Sequence, residues 1–127
     1  MLSKMMKKAS GIMKEQVIII FEKKANKEEV GEVTKMYNGY TKVVVDVKKE
    51  ILSAGGEYHV DCEQSLISTG SSQEDLWGGG FRFNNKEVDF MALTNFKPKV
   101  NHFTYEIAIP EIREKVEKVI RKIFDNE

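Results

Sequence analysis

Within five consecutive positions this 127-residue chain places His59, Asp61, Cys62 and Glu63, the densest group of side chains that could bind a metal. Glu74, Asp75 and His102 could join them through folding. At alternate positions of a strand, His59, Asp61 and Glu63 would share one face, and an imidazole with two carboxylates suits a divalent cation. Such a site would serve a metal-assisted hydrolase, with Glu74 or Asp75 as its base. The signal is not specific: there is no HExxH, no CxxC pair and no second histidine at ligand spacing, which argues against structural zinc. In the plainer reading Asp61 caps a turn, Glu63 is solvated and Cys62 is a small buried residue.

Cys62 could instead be a nucleophile activated by His59 or His102, but no nucleophile signature surrounds it. The serines lie in no Gly-x-Ser-x-Gly elbow. Gly78-Gly79-Gly80, between Trp77 and Phe81, lacks the Lys-Ser/Thr pair of a phosphate loop. Three glycines permit a bulge or the close approach of another backbone or ring, yet together they weaken a strand. Trp77, Gly78, Gly79 and Gly80 therefore mark the expected ligand groove.

Charge narrows the partners. Twenty basic residues balance twenty acidic ones, so no overall field draws nucleic acid or anionic lipid to the chain. Arg82, Lys86, Lys97 and Lys99 near Phe81, Phe83 and Phe96 make a sparse basic and aromatic stripe, offset by Glu74, Asp75, Glu87 and Asp89; nucleic acid is disfavoured as a partner. A single cysteine excludes an intramolecular disulfide, and no apolar run is long enough to span a bilayer. With no secretory leader pattern the chain reads as cytoplasmic. At 41% hydrophobic and 31% charged residues it has the composition of one ordinary globular domain.

The elements that must position these residues follow from periodicity. Residues 2–13 place Leu2, Met5, Met6, Ala9, Ile12 and Met13 at helical spacing, predicting an amphipathic helix over 1–16 that packs on the core or on a second copy. VIIIF (17–21) and KVVVDV (42–47) read as core strands flanking a helix over 27–38, opened by an Asn26/Glu29 capping box and closed by Gly39. This is a βαβ unit, expected to be parallel and right-handed. Residues 57–70 fit a strand or a helix; a short helix or irregular segment beginning near Asp61 is preferred. Residues 74–83 and 87–96 predict a hairpin turning at Asn84-Asn85-Lys86, 101–109 extended or loop structure, and Pro110 opens a last helix to 124.

The runs GGEYHVDCEQ, QEDLWGGGF, Lys97-Pro98 and PEIREKVEKVIRK together resemble a domain-of-unknown-function family of small bacterial and archaeal proteins, over about residues 17–125. That resemblance implies a domain extent and no established activity. The chain departs from it at Asn101-His102-Phe103-Thr104-Tyr105 and at Ile109, where an arginine-bearing loop and an acidic cap are expected. The expectation is therefore a two-layer α+β domain over 17–127, with a mixed sheet of about four strands, the βαβ unit, the hairpin and helices at both ends. Its leading function is a ligand-binding or regulatory module, homodimeric through the N-terminal helix, and its alternative is the hydrolase with a divalent metal.

Overall fold

The protein is described by a computed structural model over residues 15–125, and over residues 3–8 for the backbone alone. Among the described residues six strands form one sheet in the order β1 (Ser3–Lys8), β2 (Glu15–Phe21), β4 (Ile51–Ala54), β3 (Tyr40–Asp46), β5 (Leu76–Arg82) and β6 (Glu87–Asp89). With helices α1 (Lys27–Val33), α2 (His59–Ser68) and α3 (Pro110–Phe124), the class is α+β as expected.

Both faces of the central strands are covered, which is why VIIIF and VVV are continuous rather than alternating. Val17, Ile19, Val43, Val45 and Phe81 point to the side where α3 lays down Val116, Ile120 and Ile123. Ile20, Val44 and Leu76 point the other way, onto Cys62 and Leu66 of α2. The two-layer expectation is thus corrected to three layers, with α1 and α3 on one face and α2 on the other.

The sheet is antiparallel throughout rather than mixed. β2 and β3 do run in the same direction, but β4 lies between them and pairs with both. β4 escapes sequence reading because it is four residues long and carries the buried Ser53, whose hydroxyl meets that of Ser65 on α2 at 2.7 Å.

The predicted N-terminal helix is also corrected. Ser3–Lys8 is a strand, in register with β2 from Ser3↔Ile20 to Lys8↔Glu15. A short isolated helix is marginal in water, whereas the open edge of β2 offers a row of unpaired backbone groups. Residues 1–2 and 9–14 of that expectation lie outside the described residues.

The Asn26 box is present in both halves. Asn26 Oδ1 accepts from the Glu29 N–H at 2.8 Å, and Glu29 Oε1 accepts from the Asn26 N–H at 3.0 Å. The helix stops early, at Val33, where the Thr34 hydroxyl donates to the Val30 carbonyl at 2.8 Å. The β5–β6 hairpin turns where expected, but β6 has three residues, and after Asp89 the chain leaves the sheet. α3 begins at Pro110 as predicted.

Candidate functional site

Where β6 stops, the outward backbone of β5 needs other partners. Asn95, fully buried in a 3-10 turn (Leu93–Asn95), supplies them. Its Oδ1 accepts from the Gly78 N–H at 2.7 Å and its Nδ2 donates to the Gly78 carbonyl at 3.0 Å, so one side chain replaces a strand. Nδ2 also lies 3.1 Å from the Phe90 carbonyl and 3.0 Å from that of Tyr105, tying both flanks of the loop together.

His102 holds the next layer. The Ala108 N–H donates to its Nε2 at 2.9 Å, so the ring proton sits on Nδ1 and is donated to the Asn95 carbonyl at 2.7 Å. The ring also stands edge-on to Trp77, with centroids 5.0 Å apart. Backbone bonds in both directions between Lys97 and His102, 2.8 and 3.0 Å, close a tight loop over a second 3-10 turn (Pro98–Val100).

This loop fixes Lys97, which is only 7% exposed. Its Nζ donates to the Gln73 carbonyl at 3.1 Å, lies 4.0 Å from Glu63 Oε2 and sits 5.5 Å from the centre of the Trp77 ring. Burial lowers the Lys97 pKa from its ordinary value, and the Glu63 charge offsets part of that. Glu63 is 3% exposed, and its Oε2 accepts no hydrogen bond. Asp46, another deeply buried carboxylate, is satisfied: Oδ1 accepts the Lys48 and Lys49 N–H groups at 2.9 Å, and Oδ2 accepts the Ser71 hydroxyl at 2.6 Å. Lys97 and Glu63 are therefore an incompletely bonded ion pair. Lys97, with Glu63 behind it, lines a cleft of about 550 Å³ together with Gln73, Glu74, Phe96, Pro98, Lys99 and Val100. Phe96 continues its wall outward to Phe103 and Tyr105, with ring centres 5.9 and 5.7 Å away; all three are exposed.

The residues singled out from the sequence do not converge. His59, Asp61 and Glu63 lie on a helix, not a strand, and have three separate tasks. His59 Nε2 bonds the Gly79 carbonyl at 2.7 Å, Asp61 Oδ2 accepts the Tyr58 N–H at 3.3 Å, and Glu63 faces Lys97. Burial lowers the His59 pKa, against the opposing effect of its bond to Gly79. Among the described residues no three His, Cys, Asp or Glu side chains are grouped to hold a metal. Cys62 is fully buried, and burial pushes its thiol up to about 11, the reverse of what an activated nucleophile needs. Of the proposed bases, Glu74 lines the cleft, while the Asp75 carbonyl takes the Val47 N–H at 3.0 Å.

The glycine groove is closed. Trp77, Gly78, Gly79 and Gly80 are all buried. A methyl on Gly78 would stand 2.5 Å from the Ala92 Cβ, one on Gly79 would strike the Asp89 carbonyl, and one on Gly80 the Tyr40 hydroxyl. Their smallness admits a backbone and a ring, the structural alternative the sequence had offered. Trp77 alone of the four connects to the cleft, as a neighbour of Lys97.

Sequence reasoning missed Asn95 and the role of Lys97. Lys97 stood among cations weighed for nucleic acid, and its partner Glu63 among metal ligands. The available signal was a lysine before a proline within an aromatic segment, Phe96-Lys97-Pro98.

Among the described residues no helix is long and apolar enough to cross a membrane. No curated protein and no solved structure matches the chain. A family model does match, over residues 18–123, and the chain belongs to that family, described as protein of unknown function (DUF5674).

Proposed function

We propose that this protein is a small-molecule-binding module whose site is the cleft over Lys97. The observation that carries the reading is the Lys97–Glu63 pair: two buried charges, imperfectly bonded, of which Lys97 lines an open cleft. Burying such a pair is weak support for stability, since desolvation offsets the attraction. An unsatisfied buried carboxylate oxygen calls for a partner. A ligand with a polar end that accepts from Lys97 Nζ and donates to Glu63 Oε2 would complete both groups.

Size and lining agree with this reading. Ligand pockets span about 300–1,000 Å³ and combine apolar walls with few convergent polar groups. Here Phe96, Pro98 and Val100 supply the walls, and the exposed Phe103 and Tyr105 extend them. Exposed apolar surface of this kind, rimmed by Lys99 and Glu74, is characteristic of binding sites. The ligand class is a small molecule with a flat or apolar body and a polar end.

The test is amide chemical-shift mapping against a set of small polar aromatic compounds. Shifts should cluster on residues 73–75 and 96–100, with dissociation constants of about 1 mM or tighter, and should vanish in a folded Lys97→Met variant. Hits that map elsewhere, or that survive loss of Lys97, would remove the assignment.

A further inference from the structure

We infer that Lys97 is a nucleophilic amine that captures an aldehyde or ketone as an imine, with Glu63 moving the protons. The inference rests on the ligand-binding reading of the cleft and names its chemical class. Three features of the geometry lead to it.

First, Lys97 is buried beside a cleft rather than extended into water. Exposed lysines are held mostly as ammonium ions by hydration, and a desolvated amine is more readily available to attack a carbonyl near neutral pH. Second, a carboxylate stands 4.0 Å from Nζ with an oxygen free to take a proton. Third, the amine is positioned: the paired backbone bonds to His102, the Gln73 carbonyl and the Trp77 ring fix it from three sides. Positioning of this kind lowers the entropic barrier to attack.

The steps balance. The Lys97 ammonium gives a proton to Glu63, leaving a lone pair on Nζ. That pair forms the C–N bond as the carbonyl π pair moves to oxygen, and the oxygen then takes one of the two protons on the now cationic nitrogen, giving a neutral carbinolamine while Glu63 stays protonated. Glu63 returns its proton to the departing hydroxyl, the C–O bond breaks, and water leaves with formation of C=N. The net change is ammonium plus carbonyl to protonated imine plus water, with Glu63 returned to its carboxylate and no oxidant or reductant.

The experiment uses the full chain, 4-carboxybenzaldehyde as probe and cyanoborohydride to trap the imine, followed by peptide mass mapping. Lys97 is expected to carry several-fold more label than the exposed Lys99 and Lys48. Glu63→Gln, used where its circular dichroism and urea midpoint show it folded, should slow labelling at Lys97 and leave Lys99 unchanged. Labelling of Lys97 no faster than Lys99 overturns the inference. The unreactive 4-carboxybenzamide, followed through the fluorescence of Trp77, the chain's one tryptophan, separates the two readings. Benzamide binding without aldehyde labelling removes the imine and keeps the cleft as a binding site; absence of both removes both.

Discussion

Replacing Asn95 by alanine should be among the most damaging single changes in the molecule, although it removes no apolar contact and no charge. The side chain satisfies the buried N–H and carbonyl of Gly78 together with the carbonyls of Phe90 and Tyr105. Water can reach the last two, whose bonds are only part-buried, but the Gly78 pair lies beneath Ala92 and Thr94. Each orphaned buried group costs about 1–3 kcal/mol. Two give about 2–6 kcal/mol, a large part of the about 5–15 kcal/mol that holds a typical domain together. At about 4 °C per kcal/mol for a domain of this size, the central value corresponds to a fall in Tm of about 15 °C.

Urea unfolding followed by Trp77 fluorescence is the assay, since that ring is the neighbour of Gly78 and packs on His102, whose Nδ1–H is held by the Asn95 carbonyl. Asn95→Asp is the informative companion. It keeps the acceptor for Gly78 but turns the two donated hydrogens into lone pairs facing three carbonyls, so it should be at least as harmful as alanine. A loss below about 1 kcal/mol in Asn95→Ala, the net value of one ordinary hydrogen bond, would refute the view that this side chain stands in for a strand.

Three further outcomes are expected. Lys97→Met and Glu63→Leu alone should each destabilise by about 3–5 kcal/mol, as removal of one member of a buried pair does, whereas the double variant should return to within about 1 kcal/mol of the parent; urea midpoints for all four proteins decide it, and additive losses would mean that the two side chains are not coupled. His59 has its folded pKa below its unfolded value, so the unfolded chain takes up a proton first as pH falls through about 6.5. Stability should drop on acidification from that point, and the drop should shrink in His59→Gln when midpoints are compared across about pH 5–7. Cys62 is the opposite case: with its folded pKa raised, stability should fall as pH rises above about 9, the effect should be absent in Cys62→Ala, and a thiol reagent should modify the native protein only at its unfolding rate.

The strands were legible from VIIIF and from the VVV of KVVVDV, since a run buried on both faces is apolar except where, as at Asp46, the polar atoms find partners within the protein. The Asn26/Glu29 box and Pro110 were legible because end signals act within a single turn. Ser3–Lys8 was not, because SKMMKK carries apolar residues that satisfy a helical period as well as they fill a strand, and only the open edge of β2 decides between them. β4 was hidden by Ser53, a polar residue whose partner Ser65 lies on another element. Where a segment's state is set by its neighbour rather than by its own pattern, local reading has nothing to hold.

The candidate site fails to show in the sequence for the same reason, in sharper form. Glu63 and Lys97 are 34 positions apart, on a helix and in an irregular loop, and each has an ordinary reading as a solvated charge. Their burial depends on Asn95 holding residues 90–105 against β5, and that in turn depends on β6 ending after three residues. The glycines that drew attention to this part of the chain serve the same construction. Gly78 lets Ala92 sit against the strand and Gly79 admits the Asp89 carbonyl, so the departing chain can fold back closely enough for Asn95 to reach. What the sequence marks as a ligand groove is thus the foundation of the cleft proposed as one: the glycines bring the loop down, Asn95 and His102 fasten it, and Lys97, which reaches back to Glu63, lines the opening.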